Sequence, residues 1–387
     1  MKKRLALILP AALLLGLAGA ATPTIKIAVA SPFTGDNGSY GVNIKRGAEL
    51  AFDNASADLN KLGLKIELIE RDDKTDKSQG LKIAKELTAD ASVLGVIGHA
   101  TSGVTIAATA VYDTGKLVTI TPTASNPEVT SRGLRSVNRM CGRDDVQGPA
   151  GAEFASKTLK AKRVFVVMQE TAYGQGLAKG FQERAKTLGI TSIKVASVAT
   201  DDSVKLAVRN ASAFKPDLVY LAGDIELVNA LKSFKAAKIE AKYLGGDALD
   251  SSEFVDKAGA AVAGMYFTSI YAPADQYPNA AQLTAKYKSR YGVEPAGESL
   301  LGYDAASSII KAIESAYVSN GKRTPSREQV AAAVRKSNFA GVTGTISFNT
   351  NGDRNLADYF IGTYEKASYP GSVIKAFKVA PPTAINQ

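Results

Sequence analysis

The chain has 387 residues, 45% hydrophobic and 22% charged, with a single cysteine and a single histidine. At roughly 100–200 residues per domain, this length predicts about two folded domains, and the apolar content argues against disorder. Cys141 alone excludes an internal disulfide framework and a thiolate metal cluster, and His99 alone leaves little for a zinc site or a Ser–His–Asp triad.

Lys2, Lys3 and Arg4 precede an apolar run from Leu5 to Leu17 and then Ala18-Gly19-Ala20. A basic start, a short apolar centre and a small-x-small end describe a secretory signal peptide over residues 1–20. The run falls short of the roughly 20 apolar residues a membrane-spanning helix needs, so an exported, periplasmic or extracytoplasmic protein is expected. The formal net charge of +10 is spread along the chain beside acidic residues, which predicts a solvated basic surface and no nucleic-acid partner.

Thr24 to Ala30 reads as a buried strand broken by Ser31-Pro32. The spacing of Ile44, Ala48, Ala51 and Ala55 predicts a helix over 40–60. Strand 64–69, helix 78–89, strand 93–97, helix 103–112 and strand 117–121 follow. The alternation restarts with strand 163–168, helix 176–188, strand 192–198, helix 204–214, strand 218–221, helix 226–237 and strand 243–245. Strand 266–269, helices 278–291 and 299–317, and late strands near 344–348, 358–365 and 373–379 close the chain.

Such alternation implies βαβ units and parallel sheets covered on both faces. The fold class is therefore α/β, with two doubly wound, Rossmann-like lobes joined by several strand-like crossovers. The expected boundaries are 21–141 plus 273–354 for lobe 1, and 142–272 plus 355–387 for lobe 2.

In an open parallel sheet, ligands collect at the carboxyl ends of strands. The loops there, Gly98-His-Ala-Thr-Ser-Gly103 and Pro122-Thr-Ala-Ser-Asn-Pro127, are rich in hydroxyls. A helix N-terminus holds anions through its unpaired N–H groups. Ser102 and Ser125 would add hydroxyl donors suited to a carboxylate, although serines at such positions also serve as plain N-caps. Gly174 to Gly180 lacks the spacing of a dinucleotide or P-loop motif and reads as a loop feeding a helix. His99 reads as a hydrogen-bonded structural residue and Cys141 as a small core residue. Asp72-Asp73 and Asp144-Asp145 read as solvated caps. No cofactor or metal is expected.

Ile25-Lys-Ile-Ala-Val-Ala-Ser-Pro-Phe-Thr-Gly35, Tyr40-Gly41 and Gly47-Ala48 resemble the opening of the leucine/isoleucine/valine-binding proteins, type I periplasmic binding proteins that serve ABC transporters. The resemblance continues through Asp72-Asp73, Val96 to Gly103, Thr121 to Glu128, Tyr173-Gly174, Leu244-Gly-Gly-Asp247 and Gly302-Tyr-Asp304. It implies a monomeric, non-enzymatic receptor that closes on an amino acid and delivers it to a membrane ABC permease. A ligand-sensing regulator of the same fold is the alternative. A repressor would need an N-terminal helix-turn-helix where this chain has a signal peptide.

By resemblance, Ser102 with Ser125 holds the ligand carboxylate, and Thr101 adjoins them. The Thr123 carbonyl and Asp247 take the ammonium, and Tyr40 and Tyr173 cover the ligand from opposite lobes. The family's cysteine pair falls at Thr75 and Thr101, so that disulfide is missing. Asp224 and Glu298 stand where the family has side-chain-pocket aromatics. Two carboxylates facing leucine would be desolvated without a partner, so a polar or cationic ligand side chain is expected if they face the cleft.

Overall fold

The computed structural model describes residues 24–382, so the expected signal peptide lies outside the described residues. β1 (Ile25–Ser31) is a buried run of Ile, Val and Ala that leads into α1 (Gly38–Leu62). Ile44, Ala48 and Ala51 of α1 are buried, and Gly63 ends the helix in the left-handed region at φ 71°. Next come β2 (Ile66–Asp72), α2 (Lys77–Ala89), β3 (Val93–Gly98), α3 (Ser102–Thr114), β4 (Val118–Thr121), the single turn α4 (Glu128–Ser131) and β5 (Val137–Arg139). The five strands form one parallel sheet in the order β2-β1-β3-β4-β5.

After α5 (Asp144–Lys157) the series repeats. It runs through β6 (Arg163–Gln169), α6 (Ala172–Thr187), β7 (Ser192–Val198), α7 (Asp201–Phe214), β8 (Leu218–Ala222), α8 (Val228–Ala236), β9 (Lys242–Gly245), α9 (Ser252–Ala258) and β10 (Met265–Ser269). These strands pair in parallel as β7-β6-β8-β9-β10, the same winding as the first sheet.

The chain then returns. α10 (Ala281–Tyr291), α11 (Gly297–Ser319), α12 (Arg327–Arg335) and the hairpin of β11 (Asn338–Gly341) and β12 (Gly344–Ser347) come next. Ile309 and Ile313 of α11 and Val330 and Val334 of α12 join Ile27, Val29 and Ile97 in the core of the first sheet. Each such fully buried side chain contributes on the order of 1.5–3 kcal/mol. α1 and α11 meet backbone to backbone: a Cβ on Gly47 would lie 1.9 Å from the Ser299 carbonyl oxygen, and one on Gly302 2.5 Å from that of Ile44. Finally β13 (Ala357–Tyr364) and β14 (Ser372–Val379) extend the second sheet antiparallel beyond β10.

The chain thus crosses between the sheets three times, after β5, after β10 and before β13. A buried network ties the first and third crossings together. The Arg139 Nε and Arg143 guanidinium nitrogens both donate to Asp353, at 2.9 Å each, and Thr130 donates to the same carboxylate at 2.7 Å. Those two cations hold the Asp353 carboxyl below its ordinary range against the opposing effect of its burial.

Most expected elements are present with shifted ends. The Gly174–Gly180 segment is a correction: it lies inside α6, where Thr171 caps the helix by accepting from the Gly174 amide. Its glycines permit close packing, since a Cβ on Gly180 would meet the Asp144 carbonyl oxygen of α5 at 3.0 Å. Sequence periodicity leaves α5, α9, α12, β5 and β11 unassigned.

Candidate ligand-binding cleft

Both sheets switch winding direction at their first strand, between β1 and β3 in one and β6 and β8 in the other. Loops leaving the carboxyl ends of those strands diverge there and open a crevice. The loops of the two sheets face each other across a narrow cleft. It is lined by Asn37, Tyr40, Ala100, Thr101, Ser102, Thr123, Ser125, Tyr173, Asp224, Asp247 and Ala248. Eight of the nine residues singled out from sequence therefore come together. The ninth, Glu298, is not part of the lining. It is buried in the first turn of α11 (1% exposed), and its Oε2 has no hydrogen-bond partner among the described residues.

On the first-sheet side, α3 starts at Ser102 behind Thr101, which has extended backbone and makes no side-chain cap. The serine is thus the first helical residue, not an N-cap, and among the described residues the opening amides of α3 have no side-chain acceptor. Ser102 Oγ accepts the Asn126 amide at 3.2 Å, which leaves its proton for another acceptor. Thr123 Oγ1 donates to the Ala100 carbonyl at 2.8 Å and ties the two loops together. Ser125 lies in the loop ahead of α4, which starts only at Glu128 behind Pro127. Its expected place at a helix N-terminus is therefore corrected: Pro127 and the brevity of α4 leave it in irregular backbone.

On the second-sheet side, Asp224 follows β8 and Asp247 follows β9, adjacent parallel strands in register at Leu221 and Gly245. The Tyr173 hydroxyl donates to Asp247 Oδ1 at 2.7 Å. Burial pushes the Asp247 carboxyl up to about 6, although Tyr173 and Gln147 favour its charged form. Asp224 rises further, to about 7, through burial and then the charges of Glu226 and Asp247. Burial likewise lifts Glu298 to about 7. The first-sheet side supplies hydroxyls and amides and the second-sheet side carboxyls, a combination that suits a zwitterion.

Two acidic pairs depart from the solvated reading. Asp73 is fully buried, 2.7 Å from His99 Nδ1, and Tyr112 Oη lies 3.0 Å from His99 Nε2. Asp144 is fully buried near Asp247 and Ser125, and burial followed by the Asp247 charge holds its carboxyl well above its ordinary range. Cys141 is buried in the core. Sequence reasoning also missed Asn37, which lines the cleft and reaches Glu226 Oε1 at 3.3 Å, and Tyr271, which donates to the Asp247 carbonyl at 2.9 Å. Asn37 was findable in principle, because it follows β1 at the switch point.

The family model described as periplasmic binding protein matches residues 24–368. The chain belongs to the periplasmic binding protein family. A Leu/Ile/Val-binding protein homologue from Brucella abortus is 32% identical over 354 residues, 90% of this chain and 93% of the relative. A leucine-, isoleucine-, valine-, threonine- and alanine-binding protein of Pseudomonas aeruginosa is also 32% identical, covering 89% of this chain and 91% of that one. Among solved structures, a leucine-binding protein from Thermotoga maritima superimposes with a TM-score of 0.82 at 30% identity, covering 92% of this chain and 99% of its own. A branched-chain amino acid transporter substrate-binding protein from Streptococcus pneumoniae, solved with isoleucine, gives 0.81 at 25% identity, covering 92% and 100%. As a periplasmic binding protein the chain is a solute receptor of the extracytoplasmic space and not an enzyme. No helix among the described residues is long and apolar enough to cross a membrane.

Proposed function

We propose that this periplasmic binding protein captures a single amino acid between its lobes and delivers it, as a monomer released by a signal peptide, to a membrane ABC permease. The observation that carries the reading is the polarity of the cleft: the uncapped start of α3 with Ser102 faces the carboxylates after β8 and β9. An α-carboxylate at the first end gains charge-assisted hydrogen bonds from hydroxyl and amide donors. An α-ammonium at the second meets Asp247, with the Thr123 carbonyl opposite, and Tyr40 and Tyr173 cover the ligand from the two sides. The Pseudomonas aeruginosa relative is named for amino acids and the Streptococcus pneumoniae structure holds isoleucine, which supports the same class for this chain.

The lobe boundaries belong to this reading: 21–141 with 273–354, and 142–272 with 355–387. The three crossings then act as the hinge for closure around the ligand. Purified protein screened by thermal shift against the twenty amino acids, with a parallel assay for chemical turnover, tests the proposal. At least one amino acid should raise the melting point, because it binds only the folded state, and should be recovered unchanged. No shift with any of them would refute amino-acid capture.

A further inference from the structure

We infer that the preferred ligand is an amino acid whose side chain ends in a second cation, an ammonium or guanidinium held by Asp224. This inference rests on the amino-acid reading above and narrows its ligand class.

The first ground is an unbalanced charge. Asp224 and Asp247 both line the cleft, whereas no Lys, Arg or His does. Among the described residues neither carboxylate belongs to an ion pair. The whole chain carries +10, so acidity at this point runs against its composition.

The second ground is placement. Neighbouring strands lie about 4.8 Å apart, and these two acids leave the ends of adjacent parallel strands. They stand beside each other as two separate carboxyl groups. One α-ammonium answers Asp247 and leaves Asp224 open.

The third ground is the make-up of the wall. The lining carries no Leu, Ile, Val or Phe, and its apolar surface comes from Ala100, Ala248, the two tyrosine rings and the threonine methyls. A branched aliphatic side chain there would strip water from Asp224 without replacing it. Behind Asp224, Glu226 accepts from both Asn37 and Gln169 at 3.3 Å and adds to the negative field. A cation on the ligand offsets these costs together, since a buried charge is tolerated when paired and hydrogen-bonded.

Calorimetry on ligand-stripped protein with isosteric pairs, lysine against norleucine and arginine against citrulline, tests this directly, with leucine as the third comparison. At least one cationic member should bind ten- to a hundredfold more tightly than its neutral isostere, the range set by one charged hydrogen bond. Asp224→Asn should bring that ratio toward one. Leucine or norleucine binding as tightly as lysine and arginine would overturn the cationic assignment while leaving amino-acid capture intact. Binding of none of the five would overturn it too, and if the wider amino-acid screen is also silent, the reading beneath it falls as well.

Discussion

At Ser102 the hydroxyl oxygen is occupied by the Asn126 amide, and only its proton is directed elsewhere. Ser102→Ala removes that donor and leaves the Asn126 amide without its acceptor. A hydrogen bond to a charged group is worth about 1.5–3 kcal/mol, so amino-acid affinity should fall about ten- to a hundredfold, measured by titration calorimetry. Asp247→Ala should cost at least as much, and unchanged affinity in both variants would remove the two-ended zwitterion site. The buried acids set a pH dependence as well. Asp247, Asp224, Glu298 and Asp250 have carboxyls lifted to about 6, 7, 7 and 8, in each case first by burial. A carboxyl raised in the folded state binds its proton more tightly there than in the unfolded chain. Its contribution is complete below the unfolded value of roughly 4 and is lost as pH rises through the folded value. The ligand-free protein should therefore melt at progressively lower temperature from pH 5 to pH 8. Asp224→Asn and Glu298→Gln should flatten that slope in differential scanning calorimetry.

Among the elements, the α1–α11 pair holds the returning C-terminal helices on the first sheet. Gly47 and Gly302 allow it, and the atoms a Cβ would strike are main-chain carbonyls that no rotamer change can move. Gly47→Val should destabilise the protein by about 1–3 kcal/mol or more through overpacking, read as a lower denaturant midpoint with little change in m. The same substitution at Gly63, with a left-handed φ and open space around it, would act through backbone strain alone. At the other helix pair, α5 carries Pro149 in its interior and buries small residues such as Gly148, Gly151 and Ala152. Its lack of a regular apolar stripe explains why periodicity passes over it. Packed against α6 and β10 at once, it has no single face to display.

For the whole molecule, three contacts join the two sides of the cleft. Ser39 Oγ donates to Glu253 at 2.6 Å, Lys257 reaches Asp36 at 3.1 Å and Asn37 reaches Glu226 at 3.3 Å. Exposed pairs such as Lys257–Asp36 contribute at most about 1 kcal/mol each. In the proposed closure they set how long the lobes stay shut more than whether the ligand fits. Glu253→Ala, which removes both the Ser39 bond and the Lys257 partner, should speed ligand release by about fivefold, roughly 1 kcal/mol, in stopped-flow displacement. Small-angle scattering should report a smaller radius of gyration with ligand than without. Equal radii in the two states would exclude hinge closure.

Much of this architecture was readable before any coordinates, because strand and helix periods are local. Ile44, Ala48 and Ala51 announce the buried face of α1, and the hydroxyl-rich loops after β3 and β4 announce where ligands collect. Ser102 and Ser125 could be named from the hydroxyl-rich loops after two strands, whereas Thr123 and Asp247 could be reached only through the family resemblance. Tertiary structure alone decided the charge balance. Whether Asp73 is solvated or locked to His99, 26 positions away, depends on β2 and β3 both flanking β1. Likewise Asp224 is a distinctive residue only because no cation lies in the cleft beside it, and Glu298 leaves the lining only because the start of α11 is buried beneath Tyr40 and Tyr271. Periodicity follows from bonds between chain neighbours. Burial and pairing of charge follow from which distant segments share a low-dielectric space, and local sequence carries no measure of that.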